Sequence, residues 1–140
     1  MGSDPLTSDF TQKRGLTPLG STFLWAPVVL YICFIFWLSS APRPVPAFLR
    51  WRGADKLFHT VEYAPLGALL SRALARSQKQ RRWRQVQTRG FLAAVTVGVL
   101  DEWVQHFTHL RCSSLWDALF DAGGAALGQL LYWIRKRRHP

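Results

Sequence analysis

An all-α, polytopic membrane protein with a four-transmembrane-helix bundle is the fold this sequence predicts, and three observations carry that expectation. The chain is 49% hydrophobic and holds seven Trp and nine Phe, a large apolar load for a soluble core of 140 residues to hide. Its apolar residues fall in blocks separated by Arg-rich stretches, the pattern of a polytopic chain rather than of an amphipathic bundle. Six of its eight acidic residues, Asp55, Glu62, Asp101, Glu102, Asp117 and Asp121, lie inside or at the edge of those blocks. An unpaired charge at the bilayer centre costs about 2.5–3.5 kcal/mol or more, so such carboxylates are expected to face a protein interior or a wet cavity.

The first block, Phe23 to Leu38, contains no charge, with Pro27 and Cys33 its minor exceptions. Leu57 to Ala75 forms the second and carries His59, Glu62 and Arg72. The third begins at Phe91 and continues past Leu100 through Asp101, Glu102 and Gln105 to Phe107. The fourth, Leu115 to Ile134, is broken only by Asp117, Asp121 and Gln129, and at 1.5 Å per residue it matches a hydrocarbon core of about 30 Å. Two alternatives weigh less. A secretory signal fits poorly with the long polar lead from Met1 to Thr22, and a soluble four-helix bundle does not explain a first segment without a polar face. The chain therefore divides into a flexible cytoplasmic N-terminus (1–20), a four-helix membrane domain (21–134) and a basic cytoplasmic tail (135–140).

Lys and Arg set the orientation. Thirteen of the eighteen fall in the N-terminal stretch (Lys13, Arg14), the central connection (Arg72, Arg76, Lys79, Arg81, Arg82, Arg84, Arg89) and the C-terminal tail (Arg135, Lys136, Arg137, Arg138). Arg43, Arg50, Arg52, Lys56 and Arg111 occupy the other two connections. The positive-inside rule then places both termini of a multi-pass membrane protein in the cytoplasm. A net charge of +10 is accounted for by attraction of basic juxtamembrane runs to anionic lipids; without a nucleic-acid motif beside Arg81-Arg82-Trp83-Arg84, no nucleic-acid partner is expected. The Trp residues fall mostly near the span ends, where they would anchor at the interface.

With that topology the polar residues converge on one leaflet. Asp55, His59 and Glu62 start the second helix, Asp101, Glu102 and Gln105 end the third, and Asp117 and Asp121 start the fourth, with His106, His109 and Arg111 in or beside the short outer connection. Asp55 to His59 and Asp117 to Asp121 are i to i+4 and His59 to Glu62 is i to i+3, so each set shares one helix face. Gly124 and Gly128 form a G-x-x-x-G step, read first as a packing face. Pro65 and Gly67 are expected to loosen the second helix beside the acids.

These residues resemble the VanZ-like family of small bacterial membrane proteins: Asp55-Lys56 with His59 and Glu62-Tyr63, then Asp101-Glu102 with Gln105, then Arg111 and Asp117 with Gly124, after a Ser39-Ser40-Ala41-Pro42 turn. The chain departs from the family pattern at Asp121, where Asn is expected, and at His106 and His109. The resemblance implies a membrane protein, and the founding member is associated with low-level resistance to the glycopeptide teicoplanin, which acts outside the membrane. An antibiotic-resistance role is thus an inherited label, and action on the cell envelope the broader expectation.

Three roles for the constellation compete. As a structural network, Arg111 pairs with Glu102 or Asp117, Gln105 bridges helices and His59 bonds Glu62; six acids then exceed the cations that face them. As a catalytic site on a lipid head group or lipid-linked glycan, Glu102 and Asp101 supply acid–base chemistry with His59, oriented by Asp55 or Glu62, as proton shuttle, while Asp55, Gln105, Arg111, Asp117 and Asp121 bind substrate and Arg111 holds phosphate. As a binding site without turnover, it serves a lipid or glycopeptide receptor, a proton relay, or a small transporter component, for which homo-oligomers through the Gly-rich face could form a path. No zinc-ligand spacing occurs and no cofactor is specified; a divalent cation held by Asp101, Glu102, Asp117 and Asp121 is the variant route to an activated water. Cys33 and Cys112 lie too far apart in this topology to bridge.

Overall fold

The computed structural model describes residues 18–40, 53–77, 82–107 and 115–138. They form four helices, α1 (Pro18–Ser40), α2 (Ala54–Ser77), α3 (Trp83–Phe107) and α4 (Leu115–Arg138), and no strand occurs among the described residues. The all-α expectation holds. Gly53 takes the left-handed conformation at φ 93° that a side chain would disfavour, and its carbonyl accepts the Leu57 N–H at 3.1 Å to open α2.

The helices are longer than their apolar cores. Arg72 and Arg76 lie within the last turns of α2, Arg84 and Arg89 within the first turns of α3, and Arg135 to Arg138 within α4, so helix continues into the basic stretches that flank the apolar blocks. Helical hydrogen bonding continues past the apolar stretch because polar side chains tolerate the helix once it is nucleated. Lys79 and Arg81 lie outside the described residues, as do residues 1–17.

α2 and α4 form the most extensive contact in the bundle, and glycine is the reason. A Cβ at Gly124 would collide with the Thr60 carbonyl, at Gly128 with the Ala64 carbonyl, and at Gly67 with the Ala125 carbonyl. The small residues thus let two backbones meet directly. The Gly124–Gly128 step is thus the packing face its spacing suggested, and it meets α2 of the same chain. One reading is corrected: Gly67 fastens α2 to α4 rather than loosening it, since α2 runs unbroken through Pro65. α1 packs on α2 and α3, and α3 on α4. Leu24, Val28 and Ile35 of α1 join Tyr63, Leu66 and Leu70 of α2, Ala94 of α3 and Ala125 of α4 in the apolar core.

Apolar side chains also cover the outside of the bundle, and polar ones are buried with the core. Leu57 and Val61 of α2, Leu92 and Val99 of α3, and Leu119 and Leu131 of α4 face outward, while His59, Ser71, Asp101, Gln105, Asp117, Asp121 and Gln129 are buried. One helix among the described residues, α1 over Gly20–Ser40, is long and apolar enough to cross a membrane. Its 21 residues give about 32 Å of rise.

Candidate functional site

The C-terminal ends of α1 and α3 and the N-terminal ends of α2 and α4 meet at one end of the bundle, and that end collects the acids. The close approach at Gly124 sets the geometry. Thr60 lies against Gly124, so His59, the residue before Thr60, comes opposite Asp121, one turn before Gly124. His59 Nδ1 stands 2.9 Å from Asp121 Oδ1, and both groups are buried. The carboxylate that orients His59 is therefore Asp121, on another helix, rather than the expected Asp55 or Glu62. With Asp121 accepting an Nδ1–H, the neutral imidazole presents an Nε2 lone pair.

A second knot ties α1 to α3. Asp101 Oδ2 accepts the Ser39 hydroxyl at 2.8 Å and the Gln105 amide at 2.8 Å, and Gln105 Nε2 also reaches Ser39 Oγ at 3.3 Å. Asp101 and Gln105, expected in catalysis and in substrate binding, are both engaged here. Ser39 was legible only as part of a turn; the structure makes it a buried helical residue that bonds an acid. Tyr63, fully buried, is the other residue that sequence pattern left unassigned. Its signal was its place directly after Glu62 on a helix otherwise read for charge.

Asp55 does not enter the cluster. It lies exposed in the first turn of α2, bonded by Lys56 Nζ at 2.9 Å, and that hydrogen bond holds its carboxyl below the ordinary carboxylate range. Lys56 also faces Asp117 at 3.7 Å, so one lysine joins the two acids at the rim. Glu62 is half-buried on α2, and its backbone carbonyl accepts the Tyr31 hydroxyl at 2.9 Å. Glu102, also half-buried, comes into the His59–Asp121 pair: one ligand atom from each of the three lies within 4.8 Å of the others. His106 is exposed at the end of α3. Arg111, His109 and Cys112 lie outside the described residues.

The hydrogen bonds do not exhaust these acids. Among the described residues, Asp101 Oδ1, Asp117 Oδ1, Asp121 Oδ2 and the Tyr63 hydroxyl are buried without a hydrogen-bond partner. A buried carboxylate oxygen left bare is costly in a low-dielectric setting, by about 1–3 kcal/mol or more. Among the described residues this network does not close on itself.

Residues 22–136, most of the chain and all four helices, match the VanZ/LLP1 family model. The chain belongs to the VanZ/LLP1 family. No curated protein and no solved structure matches it. The VanZ/LLP1 match spans every residue of the cluster, from Ser39 to Asp121, so the buried acids lie wholly within the family's domain.

Proposed function

We propose that this VanZ/LLP1 protein is a four-span plasma-membrane protein, with both termini in the cytoplasm, that acts at its outer end on phosphate-bearing lipid head groups. The apolar outside of the bundle carries the membrane part. A bundle that turns Leu and Val outward on α2, α3 and α4 while burying His, Asp and Gln suits a solvent of acyl chains, and the one strongly apolar helix, α1, lies in the same bundle. Acids held at one end of such a bundle are a functional site by default, because the membrane makes them expensive.

The His59–Asp121 pair supports acid–base work there. A carboxylate that fixes the Nδ1–H tautomer leaves Nε2 to take or give a proton, and Glu102 beside it is a second candidate for transfer. Lys56 at the rim supplies a cation for a phosphate, the role that the sequence reading gave to Arg111. Head groups of phospholipids and of lipid-linked glycans share that phosphate, and a change in either would alter sensitivity to envelope-directed glycopeptides such as teicoplanin. The alternative, a non-catalytic scaffold or transporter component, explains the Ser39–Asp101–Gln105 knot but gives no use to the bare oxygen of Asp121.

Head-group analysis of a deletion strain tests this. Wild-type protein should restore the lipid profile, and Asp121→Asn or His59→Gln, present in the membrane at wild-type abundance, should not. Full restoration by both variants, or a deletion strain with unaltered lipids and lipid-linked glycans, contradicts the proposal.

A further inference from the structure

We infer that His59, Glu102 and Asp121 bind a divalent transition-metal ion of the Zn2+ or Mn2+ class. Three helices supply the donors, α2 the imidazole, α3 and α4 the carboxylates, and one ligand atom from each already lies within 4.8 Å of the rest. Bonds of about 2.0–2.2 Å from a tetrahedral ion set donors roughly 3.4 Å apart, so only a small contraction is needed. The 2.9 Å contact of His59 Nδ1 with Asp121 Oδ1 shows that the two side chains already approach this closely.

Asp121 points to a ligand independently of the clustering. It is 0% exposed, and its Oδ2 has no hydrogen-bond partner among the described residues. That oxygen faces α3: a Cβ built on Gly98 would lie 3.3 Å from it, and Glu102 is one turn further along the same face of α3. The side chain thus directs a bare, fully buried oxygen to the helix that carries the second carboxylate. Beside it the Tyr63 hydroxyl is also buried and without a partner among the described residues.

Charge gives the ion its purpose. Glu102 and Asp121 stand against one imidazole, and Asp117 faces Lys56 at 3.7 Å at the rim. Bare carboxylates beside His59 would repel a phosphate drawn to Lys56, whereas a divalent ion satisfies them and presents positive charge to an anionic head group. This bridging role rests on the lipid head-group reading and would take the place there of proton transfer by His59 and Glu102, whose donor atoms the ion occupies; ion binding itself rests only on the geometry. The imidazole nitrogen selects against Mg2+ and Ca2+, which favour all-oxygen shells, and most strongly for Zn2+; Mn2+, though it suits oxygen donors, is the softer of the oxygen-binding ions and tolerates one nitrogen. His59 takes a place that sequence reading gave to Asp101 and Asp117, because helix packing rather than charge pattern decides which side chains face each other.

The test is metal analysis and calorimetric titration of the full-length protein in detergent, stripped with chelator and then titrated with Zn2+, Mn2+ or Mg2+. About one equivalent of Zn2+ or Mn2+ should be retained, and its binding should raise the Tm in a concentration-dependent way. Asp121→Asn, nearly isosteric, and Glu102→Gln should each weaken the ion about 10–100-fold or more, while Asp55→Asn should leave affinity unchanged. The inference fails if the stripped wild type takes up no ion, if Mg2+ binds as tightly as Zn2+ and Mn2+, or if affinity survives both site substitutions. Ion binding without an effect on lipids would overturn the head-group reading alone. Lipid activity unchanged in metal-free protein would overturn the bridging role, and no uptake with lipid activity intact would overturn the ion site alone.

Discussion

The two ends of the bundle bury polar groups in opposite ways. At the Arg-rich end, Ser71 Oγ donates to Gln87 Oε1 at 2.9 Å and Gln129 Nε2 donates to the Gln87 carbonyl at 3.2 Å, while Gly90 makes room for the Gln129 amide. Every group there is neutral. At the other end the buried groups are carboxylates and an imidazole, and Asp101 and Asp121 each keep an oxygen that the described residues do not satisfy. Neutral amides and hydroxyls that bond across helices are sufficient to register three helices, at about 1–2 kcal/mol or less each. Charge at the far end exceeds what packing of these helices requires, and the proposed function rests on that excess.

Four substitutions test that contrast, in falling order of effect. Gly128→Leu should disrupt the fold, because its side chain would drive α2 and α4 apart at the Ala64 carbonyl and disturb both ends; purified variant with a wild-type melting curve would contradict the packing account. Gln129→Glu brings a charge to the neutral end and should destabilise by about 2–3 kcal/mol, read by denaturant or thermal unfolding in detergent. At the acidic end the sign differs. Asp121→Asn should hold stability within about 1 kcal/mol of wild type or raise it, because it removes a buried charge of the kind that function retains at a cost to stability. Equal losses in Gln129→Glu and Asp121→Asn would erase the distinction between the ends.

The smallest effect is at the rim. Asp55 has its carboxyl lowered by the Lys56 hydrogen bond, so the pair contributes stability above the ordinary carboxylate pKa, and that contribution is lost as pH falls through the lowered folded value. Asp55→Asn should cost less than about 1 kcal/mol at neutral pH, since the pair is solvent-screened, and the difference from wild type should vanish in acid. A gap that persists at low pH would show that Asp55 acts through packing rather than charge.

Much of this was legible in the chain itself. Four apolar blocks gave four helices, and the i to i+4 spacing of Asp117 with Asp121 put polar stripes on single faces. The family resemblance read from Asp55-Lys56, His59, Glu62-Tyr63 and Asp101-Glu102 agrees with the family match. Asp121, noted as a departure from that pattern, proved the most deeply engaged acid. Its partner was not legible, because the choice among Asp55, Glu62 and Asp121 depends on how far α4 slides along α2, and three glycine contacts set that slide. Ser39 was hidden by its likeness to a turn residue. The Ser71–Gln87–Gln129 network was hidden because neutral residues scattered over three helices leave no charge pattern to follow. Helix ends were underestimated at Arg84 and Arg89, where hydropathy falls although the helix continues.

The most direct test of the central claim, that four crossings bring these acids together beneath the outer face, is labelling by a membrane-impermeant maleimide. Single-cysteine proteins are needed: one retaining Cys112 with Cys33→Ser, and two on a Cys33→Ser, Cys112→Ser background with Arg52→Cys or Arg138→Cys. Cys112 and the cysteine at 52 should react in intact spheroplasts, and the cysteine at 138 only after permeabilisation. Reaction of 52 and 112 from opposite sides, or of 112 and 138 from the same side, would contradict the account.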